Sequence, residues 1–217
     1  MIAQPALTVP PFVIDAMGTT ITAEPGMFRA VFAKIPALVF QNVLAPNLLA
    51  KLLQRAANAR FVEDDVADIG TRQIEDPQHI GGSISLLAGR PNLFAWLEQV
   101  TGCTPVRALS GRLVQTRSND RDELAWHDDT NERDRLLGVV INLSDQPFTG
   151  GDFELRRKGE QANLLAFRHT TPGSMMIFAV RPDLEHRVSA VRTGGPRRVY
   201  AGWMLSAPEH PGRGIFK

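Results

Sequence analysis

The chain has 217 residues, and its 24 Lys and Arg stand against 23 Asp and Glu, a formal charge of only +1. That length suits one domain able to bury a core unaided, and the charge balance lacks the basic excess of a nucleic-acid binder. A composition of 43% hydrophobic and 22% charged residues excludes a disordered chain, and a single cysteine, Cys103, excludes an internal disulfide and fits a reducing compartment.

Residues 1–36 are rich in Pro, Thr and Ala without a clear period, and an irregular arm is expected there. The opening Met1-Ile2-Ala3-Gln4-Pro5 lacks a basic leader, and the apolar run Met175 to Val180 is far too short for a bilayer. The expected location is the cytoplasm, with neither membrane nor nucleic acid as partner. Ala37-Leu38-Val39-Phe40 reads as a strand. Pro46 opens a helix with Leu48, Leu49, Leu52, Leu53 and Ala56 at helical spacing. Residues 63–83 read as polar and turn-rich, and a second helix runs from Pro91 to its stop at Gly102, with Leu93, Phe94, Trp96, Leu97 and Val100 on one face.

Beyond Gly102 the pattern changes to short apolar segments: Val106–Val114, Gly138–Leu143, Asp152–Leu155, Asn163–Phe167, Ser174–Val180, His186–Val191 and Arg198–Leu205. Turn clusters such as Thr149-Gly150-Gly151 and Thr171-Pro172-Gly173 separate them, as in a sandwich or jelly roll. The expectation is a single α+β domain over 1–217. It comprises the arm (1–36), a helical support region (37–104), a jelly-roll core (105–207) and a tail (208–217).

Chemistry concentrates at Trp126-His127-Asp128-Asp129-Thr130. Residues two apart on an extended segment share a side, so His127 and Asp129 can grip one ion. Two histidines and a carboxylate, with other positions open, form the facial triad of non-haem Fe(II) oxygenases. Of the remaining histidines, His79 and His210 read as surface residues and His169 precedes a tight turn, where solvation is expected. His186 opens an alternating strand that can hold a ligand rigidly. On the last strand, period-two alternation puts Arg197, Val199, Ala201 and Trp203 on one face and Arg198, Tyr200 and Gly202 on the other. The large indole of Trp203 argues that the Arg197 face looks inward, where a guanidinium wants a carboxylate.

His127-x-Asp129, Ile141-Asn142-Leu143, Gly150-Gly151-Asp152-Phe153-Glu154-Leu155, Pro172-Gly173-Ser174, His186-Arg187-Val188 and Arg197 six residues before Trp203 occur in this order. Together they resemble the Fe(II)/2-oxoglutarate-dependent oxygenases, especially the prolyl-hydroxylase branch, over Val106 to Leu205. The resemblance implies a double-stranded β-helix (jelly roll, cupin-like) behind N-terminal supporting helices. It implies Fe(II) held by His127, Asp129 and His186, and 2-oxoglutarate whose distal carboxylate meets Arg197 on the Trp203 face. With O2, such an enzyme hydroxylates a C–H bond of a small-molecule or amino-acid/peptidyl substrate and releases succinate and CO2. Many relatives carry a hydroxyl residue two positions after the arginine; here that position is Val199, so Gln115 or Arg117 is expected to assist. Asp129 stands where a halogenase has Gly or Ala, which argues against halogenation. A charged loop over 117–135, Trp126 and the stretch Gly70–Ser83 are expected around the entrance. Two rivals stay open: a cupin-like metal enzyme that does not use 2-oxoglutarate, and a non-catalytic β-sandwich binding module.

Overall fold

A computed structural model of the chain describes residues 10–119, 122–132 and 134–208. It begins with strands β1 (Phe12–Asp15) and β2 (Gly18–Ile21), helix α1 (Gly26–Lys34), strand β3 (Ala37–Phe40) and helix α2 (Pro46–Ala57). Next come β4 (Phe61–Val66), β5 (Gly70–Glu75), α3 (His79–Ala88) and α4 (Pro91–Thr101). Ten strands complete it: β6 (Ala108–Thr116), β7 (Leu124–His127), β8 (Arg135–Asn142), β9 (Phe148–Gly150), β10 (Phe153–Arg157), β11 (Asn163–Phe167), β12 (Met175–Ala179), β13 (Leu184–Val188), β14 (Val191–Gly194) and β15 (Arg197–Leu205). Among the described residues no helix is long and apolar enough to cross a membrane.

Three local expectations change. Residues 10–36 are not an irregular arm: Asp15 Oδ1 accepts from the backbone N–H of Met17 (2.7 Å) and Gly18 (3.1 Å), closing a tight turn between β1 and β2. Each strand is only four residues long, too short for alternation to declare itself. The turn-rich reading of 63–83 gives way to the β4–β5 hairpin and α3, which places His79 on an exposed helix end rather than in a loop. Gly81 and Gly82 made α3 read as a turn; the helix is secured by the buried Glu75 carboxylate, which accepts from Ile80 N (2.9 Å) and Gly81 N (3.0 Å). The strand expected over His186–Val191 divides into β13 and β14, because β13 pairs with β10 whereas β14 leaves to pair with β9. His210 and most of the expected tail lie outside the described residues.

Ten strands follow one another around the main sheet in the order β11-β10-β13-β7-β5-β6-β15-β8-β12-β3, with β4 beside β5. Two walls result, β6-β15-β8-β12-β3 and β11-β10-β13-β7, joined through β5; this is the jelly roll. At the joint, β5 meets β7 through the single pair Gly70↔Leu124. Gly70 has φ +149°, and a Cβ there would collide with the Glu123 carbonyl oxygen, so the corner needs glycine.

The helices lie outside the first wall. α3 packs on β6, and the Tyr200 hydroxyl reaches Ser85 Oγ at 2.8 Å. Phe12, Phe28, Phe40 and Trp96 form edge-to-face pairs with centroids 5.1–6.0 Å apart, each worth about 1 kcal/mol beyond the area buried. The Trp96 indole donates to Ala23 O at 2.7 Å, so its polar edge is satisfied as it packs. Cys103 is half-buried against this core, and burial raises its thiol pKa, which suits packing rather than chemistry.

Candidate metal centre

His127 ends β7 and faces His186 of β13 directly across the ladder, so the two imidazoles project to one side with centroids 4.1 Å apart. Asp129 follows just beyond β7 with φ +59°, a left-handed conformation costly for a residue with a Cβ. That turn is braced by its neighbour. Asp128 Oδ1 accepts from Thr130 N (3.0 Å) and Thr130 Oγ1 (2.7 Å), and Lys158 Nζ donates to Oδ2 at 2.6 Å. Burial pushes the Asp128 carboxyl up, but the Lys158 ammonium and the Thr130 bonds outweigh it and hold it at about 2.

The outcome is a three-residue donor set. Asp129 Oδ1 lies 3.8 Å from His127 Nε2 and Oδ2 lies 3.5 Å from His186 Nε2; one donor atom from each residue falls within 4.8 Å of the others. His127 Nδ1 sits 2.7 Å from Ala125 O, an acceptor, so Nδ1 carries the proton and Nε2 presents its lone pair inward. His186 is wedged against Phe153 and Phe178 with centroids 5.4 and 4.6 Å away. Burial, with His127 adding, pushes its imidazole down to about 3, which keeps it neutral as a ligand must be. Both Asp129 oxygens have further partners: Trp203 Nε1 donates to Oδ2 at 2.9 Å and Arg135 Nη1 to Oδ1 at 3.2 Å. Two neutral imidazoles and one carboxylate suit a divalent ion of intermediate softness such as Fe(II).

The set lines a cavity of about 140 Å³ whose wall includes Arg197, Val199, Ala201 and Trp203 of β15. Arg197 is buried; its Nε has no hydrogen-bond partner among the described residues. Burial pushes the guanidinium down to about 10, Asp152 opposes this, and the group remains a cation at neutral pH. A buried cation with an orphaned donor is costly until an anion meets it. Gly151 makes the space, since at φ +64° a Cβ there would stand 2.7 Å from Arg197 Cδ. Arg198 turns the other way, bonding Gln115 Oε1 (2.8 Å) and Asp145 Oδ1 (2.8 Å).

Gln115 is not at the site. It is the ladder partner of Arg198, and its Nε2 donates to Gln73 at 2.8 Å outside the cavity. The residue facing the cavity is its neighbour Thr116, opposite Arg197 in register and buried. The sequence carried the right period but no mark of its phase on β6. Arg117 is also elsewhere, bonding the buried Asp122 (3.2 Å) and Glu63 (3.1 Å). Residues 120, 121 and 133 of the charged loop lie outside the described residues. From that loop Glu123, Leu124, Asn131, Glu132 and Arg135 reach the cavity; from Gly70–Ser83 only Thr71 and Arg72 do. Trp126 lies under Arg156, whose Cζ sits 3.7 Å from the ring centroid, and it does not line the cavity.

His169 is buried rather than solvated. Its Nδ1 meets Ser174 Oγ at 2.9 Å and its Nε2 has no partner among the described residues. Burial, helped by the nearby Arg197 charge, pushes its imidazole down to about 3. It does not join the donor set.

Residues 112–205 match the family model of the 2OG-Fe(II) oxygenase superfamily. None of the curated proteins matches this sequence. Solved structures do match in fold. An oxidoreductase of the 2OG-Fe(II) oxygenase family from Burkholderia pseudomallei is 16% identical with TM-score 0.58, covering 88% of this chain and 94% of its own. A prolyl-4-hydroxylase from Pseudomonas putida is 16% identical with TM-score 0.60, covering 84% and 98%. The epimerase SnoN, solved with Fe3+, alpha ketoglutarate and nogalamycin RO, is 16% identical with TM-score 0.60, covering 88% and 91%. The likeness to the prolyl hydroxylase and to SnoN is one of fold, whereas the family match falls on the strands that bring the donor set and Arg197 together. Over residues 112–205 the chain is thus similar to the 2OG-Fe(II) oxygenase superfamily, whose members are non-haem iron enzymes that use Fe(II), 2-oxoglutarate and O2.

Proposed function

We propose that the protein is a hydroxylase that binds Fe(II) through His127, Asp129 and His186 and the distal carboxylate of 2-oxoglutarate through Arg197. The observation that carries this reading is the pairing, in one cavity, of the two-histidine, one-carboxylate set with a buried, under-satisfied guanidinium. A cupin-like enzyme without a keto acid has no need of that buried cation, and a passive binding module needs neither feature.

Each residue has a definable task. His127 and His186 supply neutral nitrogens, the first with its tautomer set by Ala125 O. Asp129 supplies negative charge, and Trp203 and Arg135 keep its oxygens in place. Arg197 gives a carboxylate a cation and a free donor, and Thr116 opposite adds a hydroxyl where the sequence has Val199 two positions after the arginine. Val114, Val139, Val199 and Phe153 wall the cavity and exclude bulk water. When bound, Fe(II) with 2-oxoglutarate and O2 supplies the oxidising chemistry that places a hydroxyl on a substrate carbon, with release of succinate and CO2. The chain itself positions and desolvates; no side-chain acid or base is required.

One structural neighbour is a prolyl-4-hydroxylase and another an epimerase solved with nogalamycin RO, so peptidyl and small-molecule substrates both belong in the first panel. The test is succinate release from 2-oxoglutarate by the Fe(II)-loaded protein over that panel, with product mass read in parallel. Substrate-dependent succinate with a gain of one oxygen is expected. Substrate oxidised at full rate without 2-oxoglutarate would overturn the reading.

A further inference from the structure

We infer that the substrate carries a carboxylate, received by Arg72 and Arg135 on the cavity wall. The inference rests on the oxygenase reading and adds the substrate's chemical class. Three guanidiniums line the cavity: the buried Arg72 of β5 and Arg197 of β15, and the partly buried Arg135 of β8. Arg197 is assigned to 2-oxoglutarate; the other two are not used by it. By register, Arg135 stands opposite Leu205 at the end of β15 remote from Arg197, and its guanidinium lies 3.9 Å from the centroid of Trp203. The metal end of a 2-oxoglutarate anchored at Arg197 would lie beside Asp129, which Arg135 touches, so Arg135 borders both that end and the space left for a substrate.

The charges around the cavity point the same way. Among the described residues, the buried or nearly buried acids touching these arginines are Asp64, 2.8 Å from Arg72, and Asp129, 3.2 Å from Arg135. Asp152, near Arg197, is itself paired with Arg168 at 2.7 Å. Glu123 and Glu132 also line the cavity, but both are exposed, where solvent screens them. Fe(II) and the 2-oxoglutarate dianion would cancel each other's charge, and with Asp129 engaged by the ion the Arg135 cation is left to meet an incoming anion.

Arg135 also shows which atoms are available. Among the described residues, all its hydrogen bonds are made by Nη1, to Asp129 O, Asp129 Oδ1 and Asn131 Oδ1. Nε and Nη2 are left as a donor edge, and a planar two-donor edge is the geometry a carboxylate matches best. Val66, Ile69 and Leu124 line the same cavity, so the rest of the ligand is expected to be apolar.

The matched probes are phenylacetate and phenylacetamide, which share an apolar body and differ in charge. Each is titrated calorimetrically into the anaerobic Fe(II)·2-oxoglutarate complex, with the visible band of the chelate recorded to show that 2-oxoglutarate stays bound. The expected result is phenylacetate binding roughly tenfold or more tighter than the amide, the scale of a charge-assisted hydrogen bond. That preference falls to about twofold or less in Arg72→Gln and in Arg135→Gln, within the noise of an uncharged contact, while 2-oxoglutarate affinity in Arg72→Gln is retained. Equal binding of the two probes, no measurable binding of phenylacetate, loss of the chelate band on its addition, or a preference that survives both substitutions overturns the inference. Should one variant not fold, the wild-type preference and the other variant decide. Failure of 2-oxoglutarate itself to bind the Fe(II) protein would bring down the oxygenase reading as well, and is recognised by the missing band before any probe is added.

Discussion

The two sides of the β6–β15–β8 wall show what each is built for. On the helix side Leu113, Tyr200 and Met204 are fully buried, and the polar Tyr200 hydroxyl is paired with Ser85. On the cavity side the same strands bury Arg197 with an orphaned donor and bring Trp203 and Arg135 onto Asp129. The first side is satisfied as it stands. The second retains backbone strain at Asp129 and charge without a full set of partners, the pattern of a surface completed by ligands. Substitutions on the two sides therefore separate stability from binding.

The largest effect is expected at the donor set. Asp129→Ala removes the only charged ligand, and Fe(II) affinity should fall by about a hundredfold or more, beyond the loss usual for an outer partner of a ligand. Anaerobic metal titration checks this; the metal-free variant should gain no stability, because Ala keeps a Cβ in the left-handed turn and takes the carboxylate away from Arg135. Arg197→Met should raise the 2-oxoglutarate dissociation constant by about a hundredfold, the scale of losing a charge-assisted pair, while leaving Fe(II) binding intact. It should also stabilise the ligand-free protein, since a buried cation gives way to an apolar chain. Leu113→Ala, on the helix side, should behave in the opposite way. It is expected to destabilise by about 2–5 kcal/mol in urea unfolding with both affinities preserved.

A pH experiment sharpens the comparison. His169 is buried beside the cavity wall with its pKa depressed to about 3 in the fold, against 6.5 for the free side chain. Between these values the unfolded chain holds a proton that the folded chain does not, so stability rises with pH across that window. The contribution is fully present above 6.5 and is lost as pH falls toward 3. His169→Phe should flatten the stability profile between pH 6 and 4 by about 1.4 kcal/mol per pH unit, the slope of one proton. The smallest effect is expected for Gln115→Ala, which touches only the outer Gln73–Arg198 ladder. It should move 2-oxoglutarate affinity by less than about twofold, where Thr116→Val moves it by about fivefold, the worth of a neutral hydrogen bond.

How far the sequence could be read follows from what each feature depends on. α2, α4, β3 and β15 declare themselves through their own periodicity and their Pro and Gly punctuation, and they form over the expected spans to within a residue. His127, His186 and Arg197 stood out because they sit on strands whose alternation fixes the side they face, and Asp129 because it follows His127 two positions on, just past the end of β7. Gln115 was misplaced because β6 is buried on both faces, so its pattern has no polar side to set the phase. The burial of His169 and the helix α3 escaped for a related reason: one depends on Ser174 and packing by Phe167, the other on a carboxylate from the preceding strand. Arg72 and Arg135 carried no local mark at all, since only closure of the jelly roll brings β5 and β8 onto one cavity.

The central claim is that one cavity holds both a three-residue iron site and, at Arg197, the anchor of 2-oxoglutarate. The most direct measurement is an anaerobic titration of the Fe(II)-loaded protein with 2-oxoglutarate, followed by the visible charge-transfer band of the chelate. Wild type should develop the band and saturate, Arg197→Met should require about a hundredfold more 2-oxoglutarate, and Asp129→Ala should fail to hold the iron that gives rise to it. A wild-type protein that binds Fe(II) yet shows no band at saturating 2-oxoglutarate, or an Arg197→Met variant that titrates like wild type, would contradict it.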